Sequence, residues 1–393
     1  MRRAYLEAFM TPTILQIIPQ LNVGGAEKTV LEMVEAIRAE GWQALVVSEG
    51  GRLVPLIEDL GGEVIALPVN AKNPVQLWRN AQCLKTVIRA RGVDLVHARS
   101  RAPAWSGFWA ARACGCPFIT TYHGAHSQRT ALKRYYNSVM ARGDVVIANS
   151  DYTARQIKRH HGRHVKRMEL VYRGVDLSAT DLSLIDEDRL RTLRAQWGLS
   201  GDEVVVLQPA RLSRRKGQLD VIAAVAALKN EDCMKDAVVI MAGAIDGNEA
   251  YHAEMMQAIK VAGLDDQIKC VGHCADMPAA FALSDVVLAV SAKPESFGRV
   301  VAESLAMRLP VVVTDVGAQR EIILDEDGQM LEGTCCVPPS EPLQIADGLC
   351  TLLQLPAEAR AAYGVRLRGH VEGKYSICNM QRQTIDIYRS LLG

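Results

Sequence analysis

The chain has 393 residues, 49% of them hydrophobic and 5% aromatic, with ten cysteines and a formal net charge of +1. That length favours two domains, and no apolar run approaches the ~18 residues that a membrane span needs. The charge is unevenly shared: residues 1–176 hold 24 Lys and Arg against 14 Asp and Glu, and the remainder 21 against 30, so the first half is the one suited to an anionic partner.

In chain order, Met1 to Thr11 carries Arg2, Arg3 and Glu7 but no apolar core, which is not a secretory signal and predicts a cytoplasmic chain. Short β-branched runs then predict strands near 13–18, 43–48, 63–67, 93–97, 117–121, 144–148 and 167–171, with helices between them. The helix at 26–40 shows the pattern: Val30, Met33, Val34 and Ile37 form one apolar stripe among Glu27, Glu32, Glu35 and Glu40. The loop before it, Leu21 to Glu27, carries Gly24–Gly25 without the GxGxxG spacing of a dinucleotide site. ThrThrTyrHisGly, residues 120–124, puts His123 just past a strand, where a lone histidine is more often structural than catalytic.

Residues 155–167 are the densest basic stretch. They read as a solvated helix face and loop, or as a contact for a phosphorylated acceptor or an anionic membrane surface. The absence of interleaved aromatic residues argues against nucleic acid. Residues 177–201 are polar, with no strand pattern, and read as an interdomain connection. Alternation resumes with strands near 203–207, 237–242, 268–272, 285–290 and 310–314, and helices near 217–229, 249–262, 276–283 and 297–307. A helical stretch at 375–393 ends the chain. This is an α/β chain of two doubly wound, Rossmann-like domains: 1–176, the connection 177–201, then 202–374 and the terminal helix.

In such sheets ligands bind outside the carboxyl ends of the strands. After the strand at 203–207 comes ProAlaArgLeuSerArgArgLysGlyGln, residues 209–218, in which Arg211 and Lys216 offer cations to a phosphate. After the strand at 285–290 comes ProGluSerPheGlyArgValValAlaGlu, residues 294–303. There Glu295 precedes a helix, Gly298 permits close backbone approach, and Glu303 projects from the second turn. Taken singly, each segment reads first as a solvated loop or a capped helix. The ten cysteines are expected as reduced thiols, Cys233 and Cys350 among them. Cys270 to Cys274 lacks a second ligand pair, so no metal is expected, and AspGluAsp at 186–188 and 325–327 lies in polar connecting segments.

Together these segments resemble the GT-B retaining glycosyltransferases of family 4, the group that contains sucrose synthases, bacterial mannosyltransferases and lipopolysaccharide-core transferases. The resemblance rests on GlyGlyAlaGlu at 24–27, TyrHisGly at 122–124, AlaAsnSer at 148–150 and ArgGlyValAsp at 173–176. It rests also on Arg211 with Lys216, and on the spaced glutamates followed by LeuProValValValThr at 309–314. It implies two Rossmann-like domains facing across a cleft, acceptor in the first and nucleotide sugar in the second, with the terminal helix crossing back to the first.

By that resemblance His123, Arg211, Lys216 and Glu295 are the catalytic set. Arg211 and Lys216 bind the diphosphate, Glu303 the ribose, and Glu295 the transferred sugar. Ser296, Phe297, Gly298, Arg299, Val300 and Val301 complete the donor site, and Gly24, Gly25 and His123 meet the acceptor. Ser296 and Arg299 depart from the group's usual residues. The implied reaction moves a hexose from a UDP- or GDP-sugar, with retention, to a glycan or glycolipid acceptor, lipid-linked or of the lipopolysaccharide core. It uses no cofactor and no metal, and it has the membrane's inner face as a peripheral partner, met around 97–105 and 133–144. A nucleotide-sugar epimerase and a non-catalytic sugar-nucleotide-binding module share the architecture and remain the alternatives.

Overall fold

ThrIleLeuGlnIle at 13–17 is buried at every position, as a strand covered on both faces must be. It is β1 (Thr13–Ile17), and the computed structural model describes it with residues 11–22, 24–124, 128 and 130–393. Met1 to Met10 and Val23, on which parts of the sequence reading fall, lie outside the described residues. The chain divides into two compact units: residues 1–173 with 377–393, and residues 174–376.

In the first unit β1 is joined by β2 (Gln43–Ser48), β3 (Glu63–Ala66), β4 (Leu95–Ala98), β5 (Phe118–Tyr122), β6 (Val145–Ala148) and β7 (Met168–Leu170). They form one parallel sheet in the order β3-β2-β1-β4-β5-β6-β7. Helices follow the strands because the runs between them carry one apolar stripe each. In Gly25–Ala39 that stripe includes Val30, Met33, Val34 and Ile37, all buried. The last helix, Ile377–Leu392, also belongs to this unit. It buries Tyr388 and Ile385 against the apolar layer made by Val30, Val34 and Ile37.

The second unit has β8 (Val204–Pro209), β9 (Ala237–Ala242), β10 (Ile268–Gly272), β11 (Val286–Ala289), β12 (Val311–Thr314) and β13 (Thr334–Val337). Its sheet is parallel too, in the order β10-β9-β8-β11-β12-β13. In both units the first strand pairs on one side with the second and on the other with the fourth. The connections therefore run in opposite directions from that point, and they leave a crevice at the strands' carboxyl ends.

The structure corrects the reading in four places. Residues 177–201 are not a connection between domains: they lie in the second unit, where Arg189 of the helix Glu187–Trp197 grips Asp276 through Nε at 2.8 Å and Nη2 at 2.7 Å. Thr334–Val337 is a sixth strand, absent from the strands that the sequence pattern predicts. Cys233 and Cys350 form a disulfide, α-carbons 5.7 Å apart, because the helix Pro342–Leu353 packs on the turn Asp232–Met234. The stretch 97–105 is no surface for a membrane: His97, Ala98 and Arg99 are buried, as are Ala102 to Trp105.

Both AspGluAsp triplets have local structural work. Asp186 caps its helix by accepting from the Arg189 N–H at 2.8 Å, and Asp325 accepts from the N–H groups of Asp327 and Gln329 in a turn. Among the described residues no helix is long and apolar enough to cross a membrane.

Asp144, just before β6, ties three elements of the first unit. It accepts from Arg112 at 2.9 Å, from the Phe118 N–H at 3.0 Å and from Lys166 at 3.0 Å. Burial works against its charge, but these donors outweigh it and hold the carboxyl below the usual carboxylate range. A depressed folded pKa adds stability above the unfolded value, ~3.9, and loses it as pH falls through the folded value. Asp144→Ala should therefore cost about 1–3 kcal/mol at pH 7. The gap from wild type should narrow as the pH falls through the folded value, as urea melts at pH 7 and in acid will show.

Candidate functional site

The crevice of the second unit lies where β8 and β11 end. After β8 the chain runs through Arg211 to the turn Arg214–Lys216 and then Gly217, whose φ is +67°. A side chain at Gly217 would stand 2.9 Å from the Val290 carbonyl, so only glycine fits between this turn and the end of β11. Gln208 Nε2 donates to the Lys216 carbonyl at 2.9 Å, and the Ala292 N–H donates to the Arg215 carbonyl at 2.9 Å. The Ala292–Arg215 backbone bond thus fastens the two loops, and the Gln208 side chain holds the β8 turn in place.

Across that junction Lys216 Nζ donates to Glu295 Oε1 at 2.8 Å, and Ser291 Oγ donates to the same oxygen at 3.3 Å. Both charged side chains keep about a quarter of their surface, 28% and 23%, open to solvent. The backbone of Glu295 pairs with Gly317, and its carbonyl accepts from the Ala318 N–H at 2.9 Å. The carboxylate is therefore presented from a held backbone.

Gly298, at φ +113°, turns the chain into the helix Arg299–Ala306. Phe297 (2% exposed) anchors that turn edge-on to Tyr375, while Val301 is buried beneath it. The helix begins two residues later than the sequence pattern predicts, because Gly298 is left-handed and caps it. Glu303 still falls in its second turn. There Arg299 Nη2 donates to Glu303 Oε1 at 2.8 Å and Nε at 3.2 Å. The residue read as a departure thus holds the carboxylate assigned to a ribose. A ligand at Glu303 meets a carboxylate already oriented by a guanidinium.

The cations of the β8 loop separate into two kinds. Arg214 is engaged by Glu254 at 3.0 Å and lies over the Tyr251 ring at 5.3 Å, which makes it structural. Arg215 donates to the Pro294 carbonyl at 3.2 Å. Arg211 is exposed, and its backbone carbonyl accepts from Gln218 Nε2 at 3.3 Å. The loop therefore offers Arg211 and Lys216 to an anion.

The remaining assigned residues, Gly24, Gly25 and His123, lie in the first unit, at the carboxyl ends of β1 and β5. Gly25 is packed against Arg173, which donates to the Gly25 carbonyl and to Thr29 Oγ1 at 3.0 Å. A side chain at Gly25 would meet that guanidinium at 2.6 Å. His123 is half-buried beyond Tyr122. Beneath it His97, fully buried, is held by Tyr388 Oη at 2.6 Å and Thr121 Oγ1 at 2.7 Å. Burial, and then the charges of Arg99 and His123, push His97 well below the usual histidine range, so it stays neutral. Arg99 Nε donates to Gln16 Oε1 at 2.9 Å. Arg173 and His97 were not singled out as site residues, since their partners lie far off in sequence.

This architecture has counterparts. Residues 23–179 match the family model described as Glycosyltransferase Family 4, and residues 191–368 match that of Glycosyl transferases group 1. The D-inositol 3-phosphate glycosyltransferase of a Nocardioides species is 26% identical over 94% of this chain and 85% of its own. The crystal structure of a glycosyltransferase from Rickettsia africae superposes with a TM-score of 0.87 at 26% identity, covering 98% of this chain and 99% of that one. Anabaena HepE, solved in complex with UDP and glucose, gives 0.81 at 23% identity over 96% and 100%, a likeness of fold.

Proposed function

Since the chain belongs to the family 4, group 1 glycosyltransferases of the GT-B fold, we propose that it is a retaining hexosyltransferase that takes its sugar from a nucleoside diphosphate. The observation that carries this reading is the β8–β11 crevice, where Lys216 and Glu295 are paired at 2.8 Å and Gly298 opens a helix. A diphosphate at the first N–H groups of that helix meets a favourable dipole. Lys216 and Arg211 stabilise the charge that develops on the departing phosphate. Glu295 then accepts from hydroxyls of the sugar, and Glu303, steadied by Arg299, from those of the ribose.

Retention follows from front-face attack. The leaving phosphate oxygen takes the acceptor's proton while the new bond forms on the side it vacates. The cations that favour departure are side chains, so the reaction as proposed needs no metal and no cofactor. UDP is the favoured carrier, as in the complex of HepE. Gly24, Gly25 and His123 serve the acceptor, a glycan or glycolipid. The inner face of the membrane would then be the working place, although the 97–105 stretch takes no part.

The test is a thermal-shift panel of UDP-, GDP-, ADP- and CMP-sugars with Glu303→Ala as the control. One sugar nucleotide at ~100 times its dissociation constant should add about 2.7 kcal/mol, which raises the melting point by roughly 5–10 °C, and the variant should lose that shift. NMR of the glycoside product should show the donor's anomeric configuration. No shift from any donor, or an inverted product, would overturn the reading.

A further inference from the structure

Arg299 is the first residue of the helix Arg299–Ala306, and it pairs with Glu303 one turn on. Residues four apart share a helix face, so the contact itself is ordinary. Its polarity is not. A cation in the first turn faces the positive end of the helix dipole, and Arg ahead of an acid is the weaker order for such a pair. The pair therefore does little for the helix. With 27% and 24% of the two side chains open to solvent, it does little for the fold either.

What the pair does is fill one oxygen. Arg299 Nε at 3.2 Å and Nη2 at 2.8 Å both donate to Glu303 Oε1. A guanidinium can fork across a carboxylate, one donor to each oxygen, but here both donors converge on the same one. A carboxylate oxygen has two lone pairs, so Oε1 is full. Oε2 has no partner among the described residues. The turn that carries both side chains is fixed from behind, since Val301, Ala302, Ser304 and Leu305 are buried. Glu295 is presented in the same way: its Oε1 takes Lys216 Nζ and Ser291 Oγ, and its Oε2 is left open.

A ribose offers two vicinal hydroxyls, 2′ and 3′. A carboxylate with both oxygens open accepts one hydroxyl on each. Glu303 accepts only one in full, on Oε2. The second would have to displace from Oε1 a donor of opposite charge, and a neutral hydroxyl is the weaker competitor. The two hydroxyls are then unequal. Removing the one bonded to the carboxylate costs roughly 10–100-fold in affinity, because a charged acceptor is left unpaired. Removing one that was never well paired costs almost nothing.

We propose that Arg299 is a specificity-determining residue of the donor site: by filling Oε1 of Glu303 it makes the site read one ribose hydroxyl instead of two, so that nucleoside diphosphates lacking the other hydroxyl are accepted as well. The proposal rests on the transferase reading and deepens its donor side. Arg299 touches neither the sugar nor the diphosphate in this role. It acts through Glu303, by deciding how many of that carboxylate's oxygens face the ligand.

The test titrates the full chain by calorimetry with UDP, 2′-deoxy-UDP and 3′-deoxy-UDP, and with the corresponding guanosine nucleotides so that the base is not in question. In wild type one deoxy form should bind within about threefold of its parent, and the other roughly 10–100-fold more weakly. Retention of the 2′-deoxy form would name the 3′-hydroxyl as the one read and admit deoxyribonucleotide sugars as donors. Retention of the 3′-deoxy form would name the 2′-hydroxyl and exclude them. Arg299→Leu frees Oε1, so both deoxy forms should then fall about tenfold or more below their parent, with the melting temperature within about two degrees of wild type. A wild type that loses about tenfold or more with both deoxy forms would overturn the proposal, and so would selectivity unchanged in Arg299→Leu. If neither hydroxyl matters in wild type, Glu303 does not hold the ribose, and the proposal fails while nucleotide binding stands. A chain that binds none of these nucleotides would sink the transferase reading instead.

Discussion

Lys216→Ala should lower kcat/KM by about 10²–10³ while the melting temperature stays within a degree or two of wild type. The first figure is the usual loss when one preorganised group facing developing charge is removed. Here it has a second source, because Glu295 loses the cation 2.8 Å away and then presents an unbalanced carboxylate to a diphosphate. The small effect on stability follows from exposure: with about a quarter of each side chain in solvent, the pair is worth under about 1 kcal/mol to the fold. Steady-state kinetics beside calorimetry will separate the two. A cycle with Glu295→Gln should show strong coupling, the double variant losing much less than the sum of the singles. A fall of less than threefold, or one matched by unfolding, would remove Lys216 from the reaction.

Much of the fold is written locally. Runs such as ValValLeu at 205–207 and AlaValValIleMetAla at 237–242, short and β-branched, read as strands buried on both faces, and they are. Thr334–Val337 escaped because four residues with two cysteines carry little β signal, and its place comes from pairing with β12. The polar composition of 177–201 suggested a linker, yet Arg189 fastens that segment to Asp276, 87 residues away. The candidate site divides in the same manner. Lys216 and Glu295 each stand in a recognisable segment, but their pairing across 79 residues needs the strand order that sets β8 beside β11. Arg299 read only as a departure from the group's usual residue because sequence shows a residue type and not the carboxylate four residues on that it holds. Nor could Gly25 announce that it makes room for Arg173, 148 residues later.

Gly317→Ala should weaken donor binding more than tenfold, although the residue bears no side chain to offer a ligand. Its φ is +79°, and an added Cβ would stand 2.2 Å from the Glu295 carbonyl oxygen and 2.5 Å from the Glu295 nitrogen. Those are backbone atoms, so nothing flexible can yield, and the strand-like pairing of Glu295 with Gly317 must open. What moves is the segment 295–298, which carries the carboxylate paired with Lys216 and the glycine that starts the helix Arg299–Ala306. The substitution should cost about 1–2 kcal/mol for the left-handed backbone and a further ~1–3 kcal/mol for the overlap. Gly328→Ala separates the two terms: its φ is +77°, but nothing lies within 4 Å of the added atom. That variant should lose only the backbone term and bind the donor as wild type does, by thermal shift and by titration. If Gly317→Ala also binds normally, the 295–298 loop is not held by Gly317 and the geometry assigned to Glu295 fails. If both variants lose binding, left-handed strain alone accounts for the effect.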